Sequence, residues 1–165
     1  MTTTEAGLAA AGERLGELLT ARNLTIATAE SCTGGWVAKV LTDRAGSSGY
    51  VVAGLVTYSN EAKQRLLGVG ADTLQQFGAV SEPVVRQMVA GALQATDADV
   101  AVAISGIAGP GGGSDAKPVG TVWFAWGSRQ DIRASVCHFD GDRDAVRRQA
   151  VLYVLQGVTG FVTDD

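Results

Sequence analysis

An α/β fold, with a mixed sheet of about five strands and helices on both faces, is predicted by three features of this sequence. Helical and strand patterns alternate over the first part of the chain. The run Val100–Ile104 is continuously apolar, as a central strand covered on both faces must be. The last two strand patterns follow one another with no helix between them, which makes an antiparallel pair. With 165 residues, 46% of them hydrophobic, the chain can bury a core without disulfides or metals, so residues 1–165 read as a single domain.

The elements follow in order. Thr2 and Glu5 have capping-box spacing, and Leu8, Leu15, Leu18 and Leu19 share a face, giving an opening helix to about Asn23. Leu24 to Ala29 alternates apolar with small or polar residues as a strand. Ser31-Cys32-Thr33-Gly34-Gly35 then turns into a helix carrying Val37, Val40 and Leu41. After the break at residues 45–49, Tyr50 to Tyr58 is β-branched and aromatic enough for a second strand. Asn60 is expected to cap a short helix, Glu61 to Leu67, closed by Gly68. Asp72 to Phe77 is a further helical turn or two, and Ser81-Glu82-Pro83 opens a helix with Val84, Val85, Met88, Ala92 and Leu93 inward. A long loop, Ser105 to Pro118, follows the central strand. Val119 to Ser128 and Ile132 to Phe139 pair across a short turn, and Asp142 caps a last helix through Val146, Ala150, Val154 and Leu155.

Composition excludes several classes of function. The net charge is −4 and the basic residues are scattered apart from Arg143, Arg147 and Arg148, so there is no nucleic-acid footprint. No export signal or membrane-length apolar run is present, which predicts a cytoplasmic protein with no membrane partner. Two cysteines and one histidine are too few for a disulfide framework or a zinc set, and no metal is expected. A homodimer is a reasonable expectation for an α/β chain of this size.

Ser31 stands at a strand-to-helix junction before two glycines, where free backbone N–H groups can hold an oxyanion and substrate can approach the backbone. The plainer reading is that Ser31 or Thr33 is a helix cap. A serine nucleophile needs a base, and the lone histidine, His138, lies in an alternating strand far from any glycine-rich turn. Lys63 is the better base, as the third residue of the helix capped by Asn60, where the positive dipole end disfavours a charged amine. A free lysine is neutral at pH 7 only to about four parts in ten thousand, so its pKa must fall by roughly two to three. Otherwise Lys63 is a solvated surface lysine. Tyr58 emerges at the same sheet edge, either to relay a proton or to fill core.

The glycines of the second loop expose N–H groups suited to a phosphate or oxyanion, at the carboxyl end of a buried strand. Arg143 and Arg147 share a helix face, as a phosphate clamp or as a solvated face paired with Asp142 or Asp144. Cys32 is a rival nucleophile in the same dipole field. Ser114-Asp-Ala-Lys117 has the S-x-x-K spacing of penicillin-recognising enzymes, but between a triple glycine and Pro118 it lacks the helix that dyad needs.

The segments Ala29–Gly35, Val56–Lys63, Gly78–Pro83, Ile104–Pro110, Lys117–Thr121 and Gly141–Arg148, read in order, resemble the motif series of the CinA C-terminal-domain family over about residues 5 to 160. That resemblance implies a three-layer α/β/α domain. It also implies hydrolysis of nicotinamide mononucleotide to nicotinate mononucleotide and ammonia, in pyridine-nucleotide recycling, with no cofactor. The family's serine, lysine and tyrosine fall on Ser31, Lys63 and Tyr58. Longer relatives carry a preceding domain associated with ADP-ribose pyrophosphatase activity, and that activity is not expected here. The substrate-binding candidates are Thr33, Gly34 and Gly35 in the first turn, Ser105, Gly106 and Gly109 in the second loop, and Arg143 and Arg147 in the last helix. Two other readings stay open: a Cys32 thiol amidohydrolase, and a silent nucleotide-binding module in which Lys63 stays charged.

Overall fold

The central strands alternate large and small apolar residues, and that alternation sets the layers. In the computed structural model, which describes residues 3–164, five strands form one sheet in the order β2-β1-β3-β4-β5. They are β1 (Ile26–Glu30), β2 (Val51–Val56), β3 (Val100–Gly106), β4 (Thr121–Gly127) and β5 (Ile132–His138). β1 runs parallel to β2 and β3, and β4 runs antiparallel to β3 and β5, so the sheet is mixed.

Ile26, Val100, Val102, Ile104, Val122 and Phe124 face one side, under α1 (Glu5–Arg22), α2 (Trp36–Thr42) and α6 (Arg143–Asp164). The other face is paved with Ala27, Ala29, Ala101, Ala103 and Ala125, beneath α3 (Asn60–Leu67), α4 (Ala71–Phe77) and α5 (Glu82–Thr96). Small side chains there let α5 settle close to the sheet with Val84, Val85, Met88 and Leu93 buried. No helix among the described residues is long and apolar enough to cross a membrane.

Several boundaries differ from the sequence reading, each for a local reason. Thr2, the expected first cap, lies outside the described residues; the cap is Thr4, whose hydroxyl accepts from Gly7 N at 3.0 Å. β1 is buried at every position, because helical layers cover both of its faces. β2, at the sheet edge, is the strand that alternates. Ser59 caps α3 in place of Asn60, accepting from Ala62 N at 3.0 Å, which makes Lys63 the fourth residue of that helix. β3 runs on through Ser105 and Gly106, so both belong to the strand and the loop begins after them.

The α3–α5 contact fixes where Lys63 sits. A Cβ added at Gly91 of α5 would lie 1.8 Å from Leu67 O, at the last turn of α3. Gly91→Ala should therefore push the two helices apart and destabilise the protein by about 1–3 kcal/mol in chemical denaturation. An unchanged midpoint would show that this contact has slack.

Candidate active site

The first turn is built by residues on either side of Ser31. β1 ends at Glu30, and Ser31 N donates to Ile104 O at 3.0 Å, which pins the turn to the end of β3. Gly34 and Gly35 adopt φ of +61° and +100°, left-handed values that let the chain reverse within two residues before α2 starts. Glu30 is wholly buried and reaches forward: Oε1 accepts from Thr33 Oγ1 at 2.6 Å and Val37 N at 2.9 Å, and Oε2 accepts from Ala38 N at 3.1 Å. The second and third N–H groups of α2, those of Val37 and Ala38, thus meet a carboxylate of their own chain. Thr33 is fully buried with its hydroxyl given to Glu30, so its side chain holds the turn together and is not free to bind substrate.

Lys63 meets Ser31 in this turn. Its side chain is 1% exposed, and Nζ lies 2.8 Å from Ser31 Oγ, 2.7 Å from Thr57 O and 3.2 Å from Tyr58 O. Burial pulls its pKa down from 10.5 to about 8. The three neighbours suit both protonation states. An ammonium can donate to all three, whereas a neutral amine donates to the two carbonyls and turns its lone pair to the Ser31 hydroxyl hydrogen. A proton can therefore pass between Ser31 and Lys63 while the heavy atoms stay in place.

Cys32, next along the chain, is 6% exposed, and burial pushes its thiol up to about 11, which leaves it protonated and a poor nucleophile at neutral pH. His138 is exposed on the edge strand β5. Ser114 and Lys117 make no dyad: Lys117 Nζ donates to Phe77 O at 2.7 Å, at the end of α4.

The remaining candidates form the rim. Tyr58 supports Lys63 through its backbone carbonyl, while its ring is 58% exposed and its hydroxyl accepts from Arg143 Nη2 at 3.0 Å. Arg143 also donates from Nη1 to Gly109 O at 2.8 Å, so one guanidinium ties the second loop to the β2–α3 junction. Gly106 abuts Val122, where a Cβ would come within 2.7 Å, and Ser105 is buried at 1% exposure. Arg147 reaches the first turn: Nε donates to Cys32 O at 3.0 Å and Nη2 to Thr33 O at 3.3 Å. Glu30 carried no role in the sequence reading, although a carboxylate ending an otherwise uncharged strand, one residue before a candidate nucleophile, is a visible signal.

A family model for the CinA C-terminal domain matches residues 8–162, nearly the whole chain. The chain belongs to the CinA C-terminal domain family. Among curated members, the nicotinamide-nucleotide amidohydrolase PncC of Escherichia coli (strain K12) is 60% identical over 155 residues, 93% of each chain. PncC of Pseudomonas putida is 53% identical over 151 residues, 92% of this chain and 94% of that one. The crystal structure of a CinA superfamily protein from Klebsiella pneumoniae 700603 superposes with a TM-score of 0.92 at 42% identity, covering 96% of this chain and 99% of that one. The mixed five-stranded sheet between two helical layers is therefore the CinA fold.

Proposed function

We propose that this CinA-family chain hydrolyses the carboxamide of nicotinamide mononucleotide to nicotinate mononucleotide and ammonia, with Ser31 as nucleophile and Lys63 as its base, and that it serves pyridine-nucleotide recycling. The observation that carries the reading is the 2.8 Å approach of a buried amine to a serine hydroxyl in a glycine turn. The names of its relatives in Escherichia coli and Pseudomonas putida support the choice of substrate.

In the proposed reaction neutral Lys63 takes the Ser31 proton as Oγ bonds to the carboxamide carbon, and the carbonyl electron pair moves onto oxygen. The tetrahedral adduct collapses with cleavage of the C–N bond, and the Lys63 ammonium returns its proton to the departing nitrogen, which leaves as ammonia. Water then attacks the acyl-serine ester and gives a proton to Lys63; the adduct collapses with cleavage of the C–Oγ bond, Lys63 returns that proton to Ser31 Oγ, and nicotinate mononucleotide leaves. Tyr58 steadies the amine through its carbonyl, and its exposed ring, tethered by Arg143, offers a π face to the cationic pyridinium.

Purified protein incubated with nicotinamide mononucleotide and a chelator should release ammonia and nicotinate mononucleotide in equal amounts. Binding of the nucleotide with no ammonia produced would leave a binding module and end the reading.

A further inference from the structure

We propose that Glu30 is a positioning residue whose buried carboxylate closes the Ser31 turn on itself and holds Oγ within reach of Lys63. The inference rests on the Ser31 reading above and adds a residue to that site. Glu30 is wholly buried and both its oxygens are engaged, Oε1 by Thr33 Oγ1 at 2.6 Å and Val37 N at 2.9 Å, and Oε2 by Ala38 N at 3.1 Å. It therefore touches no substrate, and its influence passes through the backbone it holds. That backbone carries the nucleophile. The side chain departs one residue before Ser31 and meets the chain again at residues 33, 37 and 38, so Ser31 sits inside a closed loop.

The loop matters because the turn is weak without it. Gly34 and Gly35 have φ of +61° and +100°, and glycine is the residue least restrained in conformation. α2 has only seven residues, and a helix that short is unstable alone. Its N-cap position is Gly35, which has no side chain to cap with, so the Glu30 carboxylate supplies the cap from outside the helix. A buried carboxylate whose three donors are all uncharged is a costly way to cap a helix, and the return is a fixed turn. Thr57 joins this turn to the base: its N–H donates to Glu30 O at 2.8 Å and its carbonyl accepts from Lys63 Nζ at 2.7 Å. Glu30 thus meets the base's support with its backbone and the nucleophile's turn with its side chain.

The test separates placement of Ser31 from nucleotide binding and from stability. Glu30→Gln keeps the length of the side chain but leaves one acceptor oxygen for three donors. In the folded variant kcat for nicotinamide mononucleotide should fall about 10²-fold, the loss that a displacement of about 1 Å can cause. KM and the Kd of nicotinate mononucleotide should stay within about threefold. Thr33→Val removes one of the three bonds and should lower kcat about tenfold with the same constant KM, and Thr33→Ser, which keeps the hydroxyl, should recover most of that loss. A lower denaturation midpoint with unchanged kcat in folded Glu30→Gln would reduce Glu30 to a stabilising residue and overturn the inference. KM and the nicotinate nucleotide Kd rising in step with the loss of kcat would place Glu30 in the binding surface and overturn it too. If Glu30→Gln does not fold by circular dichroism, the Thr33 pair decides, and full kcat in Thr33→Val is then the overturning result. Turnover surviving in Ser31→Ala would instead bring down the Ser31 reading and this inference with it.

Discussion

Ser31→Ala and Lys63→Met should each lower kcat for nicotinamide mononucleotide by about 10⁴-fold or more, and the double variant should be no more than a few-fold worse than the weaker single one. Methionine is chosen at position 63 because Lys63 is 1% exposed and holds two backbone carbonyls. An alanine would open a cavity as well as remove the base. The non-additivity follows from the geometry. With Oγ and Nζ 2.8 Å apart, the amine has no proton to take once the hydroxyl is gone, and the hydroxyl has nowhere to send its proton once the amine is gone. Losses that multiply in the double variant would mean the two side chains act independently, and the dyad would fall.

The second large effect is on pH dependence. In the proposed reaction Lys63 must be neutral to act, and burial lowers its pKa to about 8. The neutral fraction then rises from about one in ten at pH 7 to about nine in ten at pH 9, so kcat/KM should climb about tenfold over that interval, with an inflection near 8. Stability should move in the same direction for a related reason. The folded-state pKa lies below the unfolded value of 10.5, so between about 8 and 10.5 the unfolded chain binds more protons and this residue's contribution to stability rises with pH. In Lys63→Met the rise in denaturation midpoint above pH 8 should shrink. A flat kcat/KM between pH 7 and 9 would show that the amine is not the titrating base.

The mixed sheet and its helical layers are legible in the sequence because they rest on periodicity, which is local. Val100–Ile104 reads as central from its own five residues, and the β4–β5 pair from a short turn. Ser31 and Lys63 can each be named from sequence, by a glycine turn and a helix start, but their contact spans 32 positions and depends on how α3 packs against α5. Burial of Lys63 is the part that residue type argues against most strongly, since lysine is rarely buried. The backbone partners of Arg147 are hidden in the sequence for a different reason. A pair of arginines on one helix face looks the same whether its partner is a phosphate or the carbonyls of Cys32 and Thr33, and backbone acceptors leave no mark in a sequence. The shift of the α3 cap from Asn60 to Ser59 is the usual ambiguity between adjacent capping residues, and it moves Lys63 by one helical position while its side chain still faces inward.

The protonated sulfur beside the proposed nucleophile bears on chemical durability. With a pKa near 11, Cys32 carries a thiolate in only about one molecule in ten thousand at pH 7. Peroxides oxidise thiolates, and a serine hydroxyl has no comparable oxidation. An enzyme that had placed its reactive sulfur one position earlier would lose activity whenever the cell met an oxidant. With Ser31 as the proposed nucleophile and a shielded thiol at 32, the same turn would keep its reactive oxygen through oxidative stress.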